Sequence, residues 1–138
     1  MLLFYTFLGI LIVGIILLVI AIFTHSDVPF NIGIAMAALG TIVVLILGAA
    51  ILSTKANIPA EKQKNLYTYN TYKERVNNLK EAESKDRYSM AEQILFNEIN
   101  TWNQNYLKYM EYSKNPWINA FFPEECYEGI DGLIEIPN

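Results

Sequence analysis

Two apolar runs organise the chain, residues 2–23 and 30–52, with only Thr24-His25-Ser26-Asp27-Val28-Pro29 between them. Neither run contains Asp, Glu, Lys, Arg or His. At 1.5 Å per residue, about twenty apolar residues in a helix cross a hydrocarbon layer roughly 30 Å thick. A soluble helix of that length would carry a polar stripe along one face, and neither run does. The pattern predicts a two-helix transmembrane hairpin over residues 1–54, joined by a tight turn. The start Met1-Leu2-Leu3-Phe4-Tyr5 lacks a basic residue, and the apolar stretch exceeds that of a signal peptide. The first run is therefore expected to stay in the mature protein.

After Leu52 the period changes. Residues 55–58 read as a linker, because Pro59 forfeits a helical hydrogen bond but suits the first position of a new helix. From there Leu66, Tyr69, Tyr72 or Lys73, Val76 and Leu79 recur at helical spacing between Lys, Glu, Arg and Asn. A charged stretch over residues 80–87 follows, and Ser89-Met90-Ala91-Glu92 then matches a capping box. Beyond it Ile94 or Leu95, Ile99, Trp102, Tyr106, Tyr109 and Tyr112 or Ser113 form a second stripe. Two matched stripes bury each other if the chain turns back, so residues 59–113 are expected to form an antiparallel helical pair. That pairing would bring Val76 or Leu79 close to Leu95 or Ile99; the alternative is one long helix. Asn115-Pro116 ends the second helix, leaving residues 114–138 as an irregular aromatic and acidic tail.

Charge sets orientation. The turn has no Lys or Arg, whereas Lys55, Lys62 and Lys64 closely follow the second run. The positive-inside bias then puts both termini and the helical pair in the cytoplasm. The expected fold is thus an all-α membrane protein with a cytoplasmic helical pair and an irregular C-terminal tail. The net charge of −4 gives no electrostatic case for nucleic acid. Tyr67, Tyr69 and Tyr72 beside Lys73 and Arg75 could stack on single strands, but no binding motif accompanies them.

Candidate chemistry is sparse. Glu124, Glu125, Cys126, Glu128 and Asp131 lack the spacing of a calcium loop and read as a solvated acidic tail. Cys126 is the single cysteine and His25 the single histidine, so neither a disulfide nor a zinc cluster is expected. No acid–base pair, nucleophile constellation or phosphate loop can be assembled, which points away from an enzyme and from any cofactor. Two sets of residues remain. Gly33, Ala37, Gly40, Thr41 and Gly48 fall near one face of the second run, where small side chains let helices approach closely. Gly9, Gly14 and Ala21 give the first run its own small positions. Trp117, Phe121 and Phe122 form an aromatic surface that could close the helical core, enter the headgroup layer or dock on a protein.

Two resemblances follow from the C-terminal half. Phe96-Asn97-Glu98, Trp102-Asn103, Asn115-Pro116-Trp117-Ile118, Phe121-Phe122-Pro123 and Ile134-Glu135-Ile136 resemble the ends of small membrane proteins encoded by bacteriophages and prophages. That likeness covers about the last forty residues and the overall layout, and it implies a phage origin with no established activity. Tyr69-Asn70, Phe96-Asn97 and Trp102-Asn103 are also similar to the aromatic–Asn pairs of LemA-like proteins, membrane-anchored helical bundles. This chain departs from those in having two apolar runs and too few residues for the bundle. The expected function is non-enzymatic: a phage- or prophage-encoded factor acting through protein contacts at the inner face of the host membrane. Its expected partners are the lipid bilayer and a membrane or cytoplasmic protein, or a second copy of itself. A holin-like pore former and a LemA-like scaffold are the alternatives.

Overall fold

A computed structural model describes residues 1–24, 27–81 and 90–137. Three α-helices account for most of them: α1 over Leu2–Thr24, α2 over Asp27–Glu81 and α3 over Met90–Lys114. Two short 3₁₀ turns, Asn119–Phe121 and Glu124–Tyr127, follow, and no strand occurs among the described residues. The expected turn at residues 24–29 and the capping box at Ser89 fall partly or wholly outside the described residues.

One expectation is corrected. Residues 55–58 are not a linker, and Pro59 lies inside α2. Proline removes the N–H that would bond the carbonyl of Lys55, four residues earlier. Lys55, Ala56 and Asn57 are all exposed, so water can take over that carbonyl. No glycine lies within residues 49–81 to end the helix in proline's place. The compositional change nonetheless marks a real division. The chain resolves into one unit of Met1–Ala56 with Asn115–Phe121 and a second of Asn57–Lys114 with Phe122–Asn138.

In the first unit, both apolar helices are long and apolar enough to cross a membrane. A core helix of a soluble protein would be mostly enclosed, whereas Ile12, Ile16, Ile42, Leu45, Ile46 and Leu52 are exposed here. The helices meet at small residues. A Cβ added to Gly14 would stand 2.7 Å from the Ala37 nitrogen, and one on Gly40 would stand 2.9 Å from the Leu11 Cα. A Cβ on Gly33 would meet Leu18 Cγ at 2.9 Å. Residues 11, 14 and 18 thus face 40, 37 and 33, with the numbers running in opposite directions. The hydroxyls of Thr6, Thr24, Thr41 and Thr54 each donate to the carbonyl four residues back, at 2.7–3.0 Å. Internal bonding of this kind satisfies a polar side chain where water is absent.

In the second unit, Tyr69 and Val76 of α2, Leu95 and Ile99 of α3, and Ile134 of the tail form one buried core. Tyr72, Leu79, Trp102, Ile130 and Ile136 pack around it. Ile99 is wholly enclosed. Where the stripe left a choice, Leu95 is buried and Ile94 exposed, and Ser113 is buried and Tyr112 exposed.

Two substitutions test these features. Pro59→Ala restores the missing N–H without changing exposure, and is expected to stabilise the chain by about 1–3 kcal/mol. A lower midpoint in thermal unfolding followed by circular dichroism would contradict the unbroken helix. Gly40→Ala is expected to destabilise the helix contact by about 1–3 kcal/mol, because a backbone atom blocks the new methyl. Gly48→Ala should be tolerated, since its Cβ would meet only Phe4 Cε2 at 3.8 Å. Equal losses of stability in detergent for both variants would rule out this contact geometry.

Candidate interaction surfaces

The small-residue set divides by position. Gly33 and Gly40 are buried at the closest approach to α1, and Ala37 supplies the backbone opposite Gly14. Gly48 is half-buried near the Phe4 ring, while Thr41 is exposed and bonded back to the Ala37 carbonyl. On α1, Gly14 and Ala21 are buried, and a Cβ on Gly9 would meet open space.

The aromatic set also divides. Trp117 and Phe121 belong with the apolar helices, whereas Phe122 belongs with the second unit. Phe122 stands edge-on to Tyr109 with centroids 5.4 Å apart, and is tilted against Tyr112 at 5.0 Å. Core closure falls chiefly to residues that the tail's pattern did not single out: Tyr127, Ile130, Ile134 and Ile136.

Those residues join a chain of rings. Tyr69 meets Trp102 at 5.7 Å, Trp102 stacks on Tyr106 at 5.7 Å, and Tyr106 meets Tyr127 edge-on at 5.2 Å. Tyr127 continues to Tyr109 at 4.8 Å, and Tyr109 to Phe122. Such pairs contribute about 0.5–1.5 kcal/mol each beyond their buried area. Lys73 Nζ lies 5.3 Å from the Tyr69 centroid, a cation–π contact at the outer end.

Polar side chains hold the tail against this wall. Asn103 Nδ2 donates to the Ile134 carbonyl at 2.9 Å, and the Ile134 N–H donates to Asn103 Oδ1 at 3.0 Å. One amide thereby satisfies both backbone groups of a buried residue that has no strand partner. Asn65 Nδ2 donates to the Cys126 carbonyl at 3.0 Å, and Tyr109 Oη to the Pro123 carbonyl at 3.1 Å. Ser113 Oγ donates to the Met110 carbonyl at 2.9 Å and lies 3.2 Å from Glu124 Oε1. Gly129 and Gly132 adopt positive φ of 90° and 144°, conformations that let the tail double back.

The acidic residues of the tail diverge. Glu124 turns to Ser113, Glu128 pairs with Lys62 at 2.7 Å, and Cys126 is buried. Among the described residues, no group of three or more His, Cys, Asp or Glu is placed to hold a metal. The Lys62 hydrogen bond keeps the Glu128 carboxyl below its ordinary pKa, although both side chains are open to screening water. Burial pushes the Tyr109 phenol well above its ordinary range, and the neighbouring Cys126 thiol adds to it. Burial likewise raises Tyr127, with nearby Cys126 and Glu61 adding to it.

A cleft of about 310 Å³ opens beside the tail, lined by Tyr69, Lys73, Val76, Lys80, Asp131 and Glu135 among others. On the surface of the same unit, Tyr67, Ile94, Leu107 and Leu133 are exposed. The arrangement offers apolar and charged contact surface. Comparison with known protein families, with curated proteins and with solved structures finds no match.

Sequence reasoning missed the roles of Asn65, Asn103 and Ile134, and read Cys126, which is buried, as a structural or incidental thiol. The Trp102-Asn103 dipeptide was visible as an aromatic–Asn pair, and it was the available signal for the amide clamp. Asn103→Leu removes both bonds and leaves the Ile134 backbone unsatisfied, for an expected loss of about 2 kcal/mol. Hydrogen exchange checks this directly: the Ile134 amide should lose protection while that of Ile99 keeps most of its own.

The raised phenols make an alkaline prediction. In the unfolded chain Tyr109 and Tyr127 ionise near pH 10, and in the folded chain they ionise later. Their contribution to stability is whole below pH 10 and falls as pH rises above it. Tyr109 and Tyr127 should lag in an ultraviolet titration of the folded protein. Tyr109→Phe should remove one lagging group; an unchanged titration would show that this phenol is not held neutral.

Proposed function

We propose that the chain is an integral membrane protein whose α1 and α2 form a two-span hairpin with both termini in the cytoplasm. The observation that carries this reading is the surface of the first unit. Its helices set Gly14, Gly33 and Gly40 against each other, bond their threonines internally, and turn many Ile, Val and Leu side chains outward. In water that surface would aggregate; in lipid it is matched. Phe4, near the start of α1, lies beside Gly48, towards the end of the α2 span. Lys55, Lys62 and Lys64 follow that end of the span in sequence, and the positive-inside bias assigns it to the cytoplasm.

Residues 59–113 act in this reading as a cytoplasmic antiparallel helical pair, closed by the tail. Its function is non-enzymatic: a phage- or prophage-encoded factor working through protein contacts at the inner face of the host membrane. Exposed Tyr67, Ile94, Leu107 and Leu133 are the contact residues this unit offers, to another protein or to a second copy. A pore former is less well supported. The apolar runs 2–23 and 30–52 carry no charged side chain to line a channel, and Gly14, Gly33 and Gly40 are occupied in pairing α1 with α2.

Two measurements test the reading. A cysteine at Thr24, in a Cys126→Ala background, should react with an impermeant thiol reagent from outside intact cells, and one at Lys64 should not. Labelling at Lys64 alone would invert the topology and remove the cytoplasmic contacts. Expression of the chain should leave the membrane potential steady in cells carrying a potential-sensitive dye. A sudden, timed depolarisation would establish the holin-like alternative instead.

A further inference from the structure

Asn115–Phe121 follows α3 in sequence yet groups with the two apolar helices. The link is specific. The Pro116 carbonyl accepts from the Leu2 N–H at 2.8 Å and from the Met1 amine at 2.8 Å, and Asn119 Oδ1 accepts a second bond from that amine. The first N–H groups of a helix have no acceptor within it, and this turn supplies one to α1. Asn115 fixes the turn in its own right. Its Oδ1 accepts from the Trp117 N–H at 3.0 Å, and its carbonyl accepts from Ile118 and Asn119 at 3.2 and 2.9 Å.

The turn presents Trp117, which is 47% exposed, at the end of α1 where Tyr5 is 60% exposed. An indole or phenol has an apolar body and a polar edge, and both are enriched at the headgroup level of membranes. Residues 115–121 carry no acidic side chain, and Lys114 precedes them. The acidic residues of the tail, from Glu124 onward, belong to the other unit.

We propose that Asn115–Phe121 is an interfacial foot. Trp117 and Tyr5 lie together in the phospholipid headgroup layer of the leaflet holding the start of α1, and the Pro116 carbonyl ties the foot to that helix. The proposal rests on the membrane reading above and adds to it a third point of lipid contact, built from residues distant in sequence from both spans.

The test uses the full chain in phosphatidylcholine vesicles with Trp102→Phe, which leaves Trp117 as the single indole. Its emission should lie to the blue of an indole in water. Lipids brominated high on the acyl chain should quench it more than lipids brominated near the chain end. Trp117→Cys carrying an environment-sensitive fluorophore, in Cys126→Ala, retains Trp102 and should give the same order of quenching. Water-like emission quenched by iodide, in protein that resists alkaline extraction, would overturn the foot and leave the membrane reading standing. Emission shielded from both bromine and iodide would mean a protein contact and would also overturn it. Release of the protein at alkaline pH would remove the membrane reading and the foot together.

Discussion

Where Gly40 faces Leu11, and Gly14 faces Ala37, the two apolar helices meet backbone to backbone. Everything else in the first unit depends on that approach. In the proposed membrane setting there is no hydrophobic gain from pairing the two helices, because lipid tails are as apolar as leucine. Attraction must come from dispersion at short range, and dispersion falls away within an ångström of lost contact. The absence of a side chain at three glycines is what permits it. The larger side chains are thereby left free to face outward, and the outward surface is what gives the unit its character.

The second unit solves a different problem. Two helices with thin, tyrosine-rich stripes do not enclose much apolar surface, and a domain this small has little to spare. The tail completes the core with Ile134 and its flanking isoleucines, while the ring chain from Tyr69 to Phe122 extends packing along α3. An irregular segment can enter a core only if its backbone groups find partners. Asn103 and Asn65 provide them. The amides do for the tail what a neighbouring strand would do in a sheet.

Much of this was legible in the sequence, and the reasons differ by element. Apolar runs and helical stripes are local signals, so the helical segments, though not their fusion through Pro59 into one α2, and the inward positions Tyr69, Val76 and Ile99 could be read from spacing, with Leu95 one of two choices. Pro59 misled because its cost is a single hydrogen bond, which an exposed helix can pass to water. Ile134 and Asn103 could not be paired in advance: thirty-one residues separate them, and no period connects a helix to an irregular tail. Trp117, Phe121 and Phe122 read as one set because they are neighbours in sequence, yet they serve two units.

The division of the tail has a consequence for how the chain can be made. Neither unit is a continuous piece of sequence, since Asn115–Phe121 belongs to the first and the residues on either side of it to the second. During synthesis, α1 emerges early, and the carbonyl that caps its first turn emerges more than a hundred residues later. Through that interval α1 has an open end, and it is finished only after α3 has been translated. A cut at the compositional boundary near Asn57 would therefore separate two incomplete objects. No single break in this chain releases either unit whole.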